Sequence, residues 1–276
     1  MSSKIVALAL AVLLWSLPRE AACGITVVRA GPFEQAFEQS FLVHSDAVGR
    51  DFLVSVFAPP GPPPPASAKL PVIYALDQGY DIAGPAVRTL GGVIETPYVV
   101  EVGYLPADFR YRMTDLLFDK APAERVEQGG GAAFQTFLLQ ELRPWIEARF
   151  PVDPARSILM GHSAAAFFAA NVLAAKPTAF RGYILASPSF QYDPSLVSRL
   201  AQVSAASPTF VFLSAGGAEK PTIIAGVNAA AEALRRPGSG FTVRQEVFDG
   251  LGHGPSYLML PLTAFPFLLP PITAGR

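Results

Sequence analysis

The sequence predicts an α/β fold with a mostly parallel central sheet and helices on both faces. Short, continuous apolar runs predict strands that are buried on both sides, and the segments between them have helical spacing. Strands that alternate with helices are joined by right-handed crossovers, which place the strands side by side in parallel. Residues 24–276 show no internal repeat and no boundary between two domains, so we expect a single domain.

The first predicted elements form a hairpin of two strands, residues 40–47 and 51–58. Apolar residues alternate along the second strand, where Phe52, Val54 and Val56 share one face. Residues 48–50 supply the turn between the two strands. The proline-rich residues 59–65 follow, and because proline fixes φ and lacks an N–H donor, we expect an extended surface connection there.

The remaining elements alternate in type along the chain. Apolar runs predict strands at residues 70–76, 98–103, 157–160, 182–186, 209–214 and 241–248. Helical spacing predicts helices at residues 82–94, 134–150, 164–175, 195–203, 223–236 and 257–269. Pro144 lies inside the second of these helices and is expected to kink or restart it.

The amino-acid composition limits the classes of protein to which this chain can belong. Hydrophobic residues make up 51% of the 276 residues and charged residues 16%, which is typical of a globular chain. The net charge is −1 and no basic cluster occurs, which argues against nucleic acid as a partner. The sequence has three histidines and one cysteine, which argues against a zinc site and against a disulfide framework. We therefore expect no metal and no cofactor.

The N-terminal residues have the layout of a secretory signal peptide. Lys4 precedes the apolar residues 5–17, and Pro18 and small residues up to Gly24 follow. A membrane span needs about 20 apolar residues, so this run is too short for a stable span. We expect residues 1–23 to be a signal peptide, with cleavage near positions 22–24 and export to the periplasm or medium. Cys23 is a candidate site for a lipid anchor.

The segment Gly161-His162-Ser163-Ala164-Ala165 is the centre of the functional prediction. An apolar run enters it and a small-residue helix leaves it, so Ser163 is expected on a sharp strand-to-helix turn. Such a turn is the nucleophile elbow of α/β-hydrolases, G-x-S-x-G, in which the serine side chain stands above the sheet. Ala165 replaces the second glycine of that pattern and weakens the match by one methyl group.

A serine hydroxyl needs a base within hydrogen-bond reach, and the base needs a third group that sets its tautomer. In α/β-hydrolases the order along the chain is serine, acid, histidine. His253 is the one histidine that follows Ser163, and it lies between two glycines just after the last predicted strand. His44 falls in an early strand and His162 in the elbow itself. His253 is therefore the predicted base.

Two residues are candidates for the acid. Glu219 follows the predicted strand at residues 209–214, where the acid of a hydrolase commonly lies, and it is the favoured candidate. Asp249 is the alternative, because it precedes His253 on the same loop, although aspartate before a glycine also commonly caps a turn. A serine–histidine dyad without an effective acid stays open as well.

An oxyanion intermediate needs two preorganised N–H donors. One is expected from Ala164, directly after the serine, and the other from Gln78 or Gly79 in the loop after residues 70–76.

Several segments resemble the Putative esterase family, which includes esterase D, enterobactin-type siderophore esterases, feruloyl esterases and mycolyltransferases. The resembling segments are residues 70–77, 100–104, Arg110 or Arg112 with Asp115-Leu116, 137–146, 161–163, 186–189 and 252–254. They run in order over residues 40–262. The chain departs from the family at Gln78 and Ala165, and at Phe190-Gln191-Tyr192, where siderophore esterases tend to carry tryptophans.

The resemblance implies acyl-ester chemistry on a small-molecule ester substrate. The favoured hypothesis is an exported serine hydrolase in which Ser163 attacks the carbonyl, His253 moves the proton and Glu219 orients His253. An acyltransferase with the same residues is one alternative, and a non-catalytic binding protein on a hydrolase scaffold is another. The resemblance does not identify the ester, because one fold carries many activities.

Overall fold

The computed structural model describes residues 24–31, 38–61, 68–77, 83–84, 86, 95–118 and 129–273. The described strands are β1 (Ile25–Gly31), β2 (Glu38–Ser45), β3 (Arg50–Phe57), β4 (Leu70–Leu76), β5 (Tyr98–Gly103), β6 (Val152–His162), β7 (Gly182–Ala186), β8 (Thr209–Gly216) and β9 (Phe241–Phe248). The described α-helices are α1 (Arg112–Leu116), α2 (Gly131–Thr136), α3 (Arg143–Arg149), α4 (Ala164–Ala175), α5 (Ser195–Leu200), α6 (Pro221–Arg235), α7 (His253–Tyr257) and α8 (Leu260–Thr273).

These strands form one sheet in the order β1-β2-β3-β5-β4-β6-β7-β8-β9. Every pairing from β5 through β9 is parallel, whereas β1, β2 and β3 add on as antiparallel strands. The prediction of a mostly parallel sheet is confirmed. The sequence analysis missed β1, which lies at the edge of the described sheet, pairs with β2 and carries no long apolar run.

Helices cover both faces of the sheet, as predicted. On one face, aromatic side chains from β3, α2, the turns that follow α2 and α4 pack together. The rings of Phe52 and Phe137 stack at 4.5 Å, and those of Phe134 and Phe168 meet edge to face at 5.1 Å. On the other face, Phe265 and Leu268 of α8 belong to a second buried cluster beneath the strands. The sheet is therefore buried between two apolar layers.

The helix predicted at residues 134–150 is continuous but not uniform. Between α2 and α3, residues Phe137–Leu142 adopt π-helical turns. Pro144 follows at the start of α3, and because it has no N–H to donate, a helix that passes through it must change its hydrogen-bond pattern. Of the helix predicted at residues 82–94, the described residues Ala83, Gly84 and Ala86 are helical.

The helix predicted at residues 257–269 is two helices, α7 and α8. The second extends to Thr273 although it contains four prolines, three of them beyond its first turn. Among the described residues, His253–Thr273 is the one stretch long and apolar enough to cross a membrane by length and composition, with a mean hydropathy of 1.3. Half of it is buried inside the fold. Burial of this extent is typical of a helix that packs against the core of a folded domain. The signal peptide and Cys23 predicted above lie outside the described residues.

Candidate active site

Three neighbouring strands end in non-glycine residues with positive φ. Asp77 follows β4 with φ 73°, Ser163 follows β6 with φ 59°, and Ser187 follows β7 with φ 45°. Such conformations cost about 1–3 kcal/mol each and cluster at functional sites. Since β4, β6 and β7 are adjacent in the sheet, the strain is concentrated at one part of its carboxyl edge.

Ser163 lies on the sharp turn between β6 and α4, with φ 59° and ψ −120°. Its N–H donates to the carbonyl of Ala186 at 2.9 Å, and its own carbonyl accepts from Phe167 N–H at 3.0 Å. A Cβ at Gly161 would lie 2.4 Å from the backbone of Ala165, which explains the glycine there. Ala165 itself is fully buried, so the turn accommodates the methyl group that departs from the motif.

Glu219 lies beyond β8 and points at His253. Its Oε2 is 2.6 Å from Nδ1 of His253. Its Oε1 accepts hydrogen bonds from the Ser187 hydroxyl at 2.5 Å and from the N–H of Gly216 at 2.6 Å. Burial alone would raise the pKa of the Glu219 carboxyl, but the hydrogen bonds from Ser187, Gly216 and His253 outweigh it and lower the pKa. The carboxylate form is therefore favoured.

This contact sets the tautomer of His253. A carboxylate can only accept, so Nδ1 of His253 carries the hydrogen and the lone pair is on Nε2. The His253 side chain is 39% exposed while the Glu219 side chain is 1% exposed. A partly exposed imidazole whose Nδ1 is held by a buried carboxylate has the arrangement that general-base chemistry requires.

Two features fix the position of the loop that leads to His253, the first residue of α7. A Cβ at Gly216 would lie 2.2 Å from the carbonyl oxygen of Leu251, so the loop crosses directly over the end of β8. Nε2 of His162 lies 3.0 Å from the carbonyl oxygen of His253, and since a carbonyl can only accept, Nε2 of His162 is the donor. Burial, with the nearby His253, lowers the pKa of His162 to about 4, so the ring is neutral near pH 7.

The Ser163 hydroxyl faces a second serine. Ser163 Oγ is 3.3 Å from Oγ of Ser189, which is 3% exposed. Among the described residues, Ser163 Oγ has its side-chain hydrogen bond with Ser189 and not with His253. For proton transfer the Ser163 hydroxyl must come within hydrogen-bond reach of His253.

The other predicted site residues fall in different places. Ala164 is the first residue of α4, so its N–H has no acceptor within the helix. Gln78 and Gly79 lie outside the described residues. Asp249 is exposed in the turn after β9, and its neighbour Gly250 has φ 68°, as expected for an aspartate that precedes a turn glycine.

Sequence analysis missed four contributors to this arrangement. Ser187 and Ser189 belong to a motif that it recognised but to which it assigned no contact. His162 was set aside as part of the elbow. Asp77 accepts a hydrogen bond from Nε of Arg112 at 2.7 Å at the same edge. The hydrogen-bond partners of Ser187 and Ser189 are distant in the chain, so no local spacing predicts these contacts. The signal available in the sequence was the Ser-Pro-Ser order at Pro188.

The part of the chain that is described holds no group of three or more His, Cys, Asp or Glu side chains suited to a metal ion.

A comparison with protein-family models matches residues 45–228 to the family described as Putative esterase. The match covers about two thirds of the chain and includes Ser163 and Glu219, but it ends before His253. The chain belongs to the Putative esterase family.

Two curated relatives of this family member are siderophore esterases by name. The ferri-bacillibactin esterase BesA of Bacillus subtilis is 32% identical over 167 residues, which are 54% of this chain and 57% of that protein. The siderophore triacetylfusarinine C esterase of Aspergillus fumigatus is 31% identical over 138 residues, which are 45% of this chain and 46% of that protein. The chain thus spans about half the length of the curated relatives it matches.

Solved structures show the α/β-hydrolase fold. The enterobactin and salmochelin hydrolase IroE is 26% identical, with a TM-score of 0.65 over 88% of this chain and 97% of that one. The BES protein of Bacillus cereus is 24% identical, with a TM-score of 0.70 over the same shares, 88% and 97%. The fold of this Putative esterase family member is therefore that of IroE and BES.

Proposed function

We propose that this protein is an exported serine hydrolase that cleaves carboxylic esters by a Ser-His-acid mechanism. The observation that carries the proposal is the 2.6 Å contact between Glu219 Oε2 and His253 Nδ1, beside a serine held on a strained elbow. Membership of the Putative esterase family supports the same chemistry.

In this mechanism the Ser163 hydroxyl hydrogen-bonds to His253, and its Oγ attacks the ester carbonyl. Nε2 of His253 takes the hydroxyl proton, and Glu219 stabilises the imidazolium. The Ala164 N–H and a second N–H from residue 78 or 79 hold the oxyanion. His253 returns the proton to the leaving alcohol, and water then hydrolyses the acyl-enzyme with the same base.

The first test is turnover of short-chain p-nitrophenyl esters together with labelling of the protein by a fluorophosphonate. We expect labelling at Ser163, and loss of turnover in Ser163→Ala and His253→Gln. His44→Gln is the matched control, because His44 Nδ1 also contacts a carboxylate, Oδ1 of Asp51, at 2.7 Å, but on strands β2 and β3 away from the elbow. Turnover that survives in Ser163→Ala, or equal losses in the two histidine variants, would refute the mechanism.

For the substrate we propose a siderophore ester, on the basis of the names of the relatives. A feature of this chain agrees with an anionic aromatic ligand. Phe109 is 53% exposed, and the Arg110 guanidinium lies 4.7 Å over the Tyr111 ring, in a 3-10 turn shortly after β5 at the carboxyl edge of the sheet. Exposed aromatic and cationic groups suit a catecholate or a similar ring.

An ester panel tests the substrate class. We expect a catecholate siderophore ester to be cleaved with a higher kcat/KM than feruloyl or short-chain esters. Arg110→Gln should raise KM for the siderophore and leave p-nitrophenyl ester turnover unchanged. Equal effects of Arg110→Gln on all esters would contradict a role of this turn in siderophore binding.

A separate experiment distinguishes hydrolysis from acyl transfer: the products are analysed after the reaction is run with added acceptor alcohols.

Export is proposed from residues 1–23 alone. Cell fractionation and N-terminal sequencing of the mature protein test it, with a mature N-terminus near residues 22–24 as the expected result. Cys23→Ser, followed by labelled fatty acid incorporation, tests the lipid anchor. Recovery of an unprocessed cytosolic chain would overturn the proposal of export without affecting that of esterase activity.

A further inference from the structure

Ser187 occupies a backbone conformation that suits glycine better than serine. Its φ is 45°, in the left-handed region where glycine has no steric penalty. Its N–H donates to the carbonyl of Ser214 at 2.7 Å, so neighbouring strand β8 holds it in place. The residue is also completely buried. Glycine would adopt this conformation with less strain, so the presence of a serine here indicates a role for its hydroxyl.

That side chain contacts one atom of the proposed catalytic acid. The Ser187 hydroxyl donates to Glu219 Oε1 at 2.5 Å, and Gly216 N–H donates to the same oxygen at 2.6 Å. The other oxygen, Oε2, is left to face His253 at 2.6 Å. Two donors on one oxygen thus fix the carboxylate plane and decide which oxygen meets the imidazole.

We propose that Ser187 is a positioning residue whose hydroxyl orients the Glu219 carboxylate toward His253. This inference rests on the proposed function, in which Glu219 in turn sets the tautomer and orientation of the base. The hydrogen bond from Ser187 also favours the ionised carboxyl that the contact with His253 requires. Ser187 acts through Glu219 and touches no reacting atom.

Two variants separate this role from a structural one. Ser187→Gly removes the hydroxyl and also relieves the backbone, so the thermal unfolding temperature should be unchanged or higher. Ser187→Ala removes the hydroxyl and keeps the backbone strain. In both variants we expect kcat to fall about 10- to 100-fold, as misplacement of a catalytic group does, while KM changes by less than about twofold because substrate contacts are intact.

Ser45→Ala is the matched control. Ser45 is also fully buried, and its hydroxyl donates to the Oε2 of another buried glutamate, Glu141, at 2.6 Å. It lies on β2, four strands from β6. We expect Ser45→Ala to lower the unfolding temperature without changing kcat. Wild-type kcat in Ser187→Gly, or a loss of kcat matched by an equal loss in Ser45→Ala, would overturn the proposal.

A spectroscopic readout keeps this inference separate from the proposed function. The Nδ1–H of His253, which donates to a carboxylate, should give a downfield proton resonance in the wild-type protein, with or without esterase activity. In Ser187→Gly that resonance should move upfield or broaden, and in Ser45→Ala it should not. An inactive wild-type protein with this shift would refute the esterase proposal alone. A resonance identical in wild type and Ser187→Gly would refute the role of Ser187.

Discussion

Glu219 and His253 are joined at the carboxyl edge of the sheet by a contact of 2.6 Å between Oε2 and Nδ1. They are 34 positions apart in the chain, whereas Asp249, only a few residues before His253, is exposed in the turn after β9. Proximity in sequence is thus a poor guide here. The end of β8 brings the distant carboxylate to the histidine, because the loop after β9 crosses over it.

We expect Glu219→Gln to lower kcat by up to about 10⁴-fold. Ser187 and Gly216 both donate to Oε1, so the amide oxygen takes that position and the amide NH₂ group faces His253. Nδ1 must then accept, which leaves the hydrogen on Nε2 and disables the base. Steady-state kinetics on a p-nitrophenyl ester measure this. Asp249→Asn is the control and should retain wild-type kcat; a larger loss in Asp249→Asn than in Glu219→Gln would reverse the assignment.

The neutral His162 makes stability depend on pH. Its pKa is lowered from 6.5 to about 4 in the folded protein by burial and by His253, so the unfolded chain binds the proton more readily. The stability it contributes is complete above about pH 6.5 and is lost as the pH falls toward 4, by roughly 3 kcal/mol in total.

Urea unfolding at pH 7.5 and pH 4.5 measures this dependence, with His162→Gln as the comparison. Asp115 acts in the opposite direction, because burial raises its pKa from 3.8 to about 6 despite Arg50 and Tyr104, and folded Asp115 binds a proton first. Asp115 is present in both the wild-type protein and His162→Gln. The difference between their free energies of unfolding at the two pH values therefore reports the contribution of His162. We expect the free energy of unfolding to fall less with acid in His162→Gln; parallel dependences on pH would contradict the prediction.

Gly216 is required where the histidine loop crosses β8. A methyl group there would lie 2.2 Å from the carbonyl oxygen of Leu251, so Gly216→Ala must lift the loop and with it His253. We expect a kcat loss of about 10²-fold and a destabilisation of about 1–3 kcal/mol, measured by ester kinetics and thermal unfolding.

Gly252→Ala is the control for this variant. Gly252 is adjacent to His253, yet a Cβ on it would meet no atom within 4 Å, and its φ of −84° suits alanine. We expect near wild-type activity. Should Gly252→Ala be as damaging as Gly216→Ala, the loss would come from loop flexibility and not from the steric contact.

Ser189→Ala removes the hydrogen-bond partner of the Ser163 hydroxyl. The contact is long, 3.3 Å, and joins two neutral groups, so it is worth about 1 kcal/mol. We expect fluorophosphonate labelling of Ser163 to be up to about fivefold faster, because the hydroxyl no longer has to leave Ser189. A time course of labelling measures the rate. A marked slowing would instead indicate that Ser189 assists the reaction.

Much of the fold could be predicted from the sequence. The parallel strands are continuous apolar runs, since they are buried on both faces, and a local pattern reveals them. The edge strand β1 was not predictable, because its pairing with β2 decides it. Pro144 predicted a change in the helix that contains it, but not that Phe137–Leu142 would form π-helical turns. The strand-to-helix turn at Ser163 was also predictable, because glycine and small residues at Gly161 and Ala164 mark it.

The sequence by itself determined the α/β class, the position of Ser163 on its turn and the short list of candidate partners. It left Glu219 and Asp249 both open, because nothing local distinguishes a buried carboxylate from an exposed one. Only the tertiary structure brought Glu219 to His253, turned Ser187 onto the carboxylate and placed His162 beneath the histidine loop. These contacts join strand ends that are distant in the chain and adjacent in the sheet, so the order of the strands creates them and no local pattern records them.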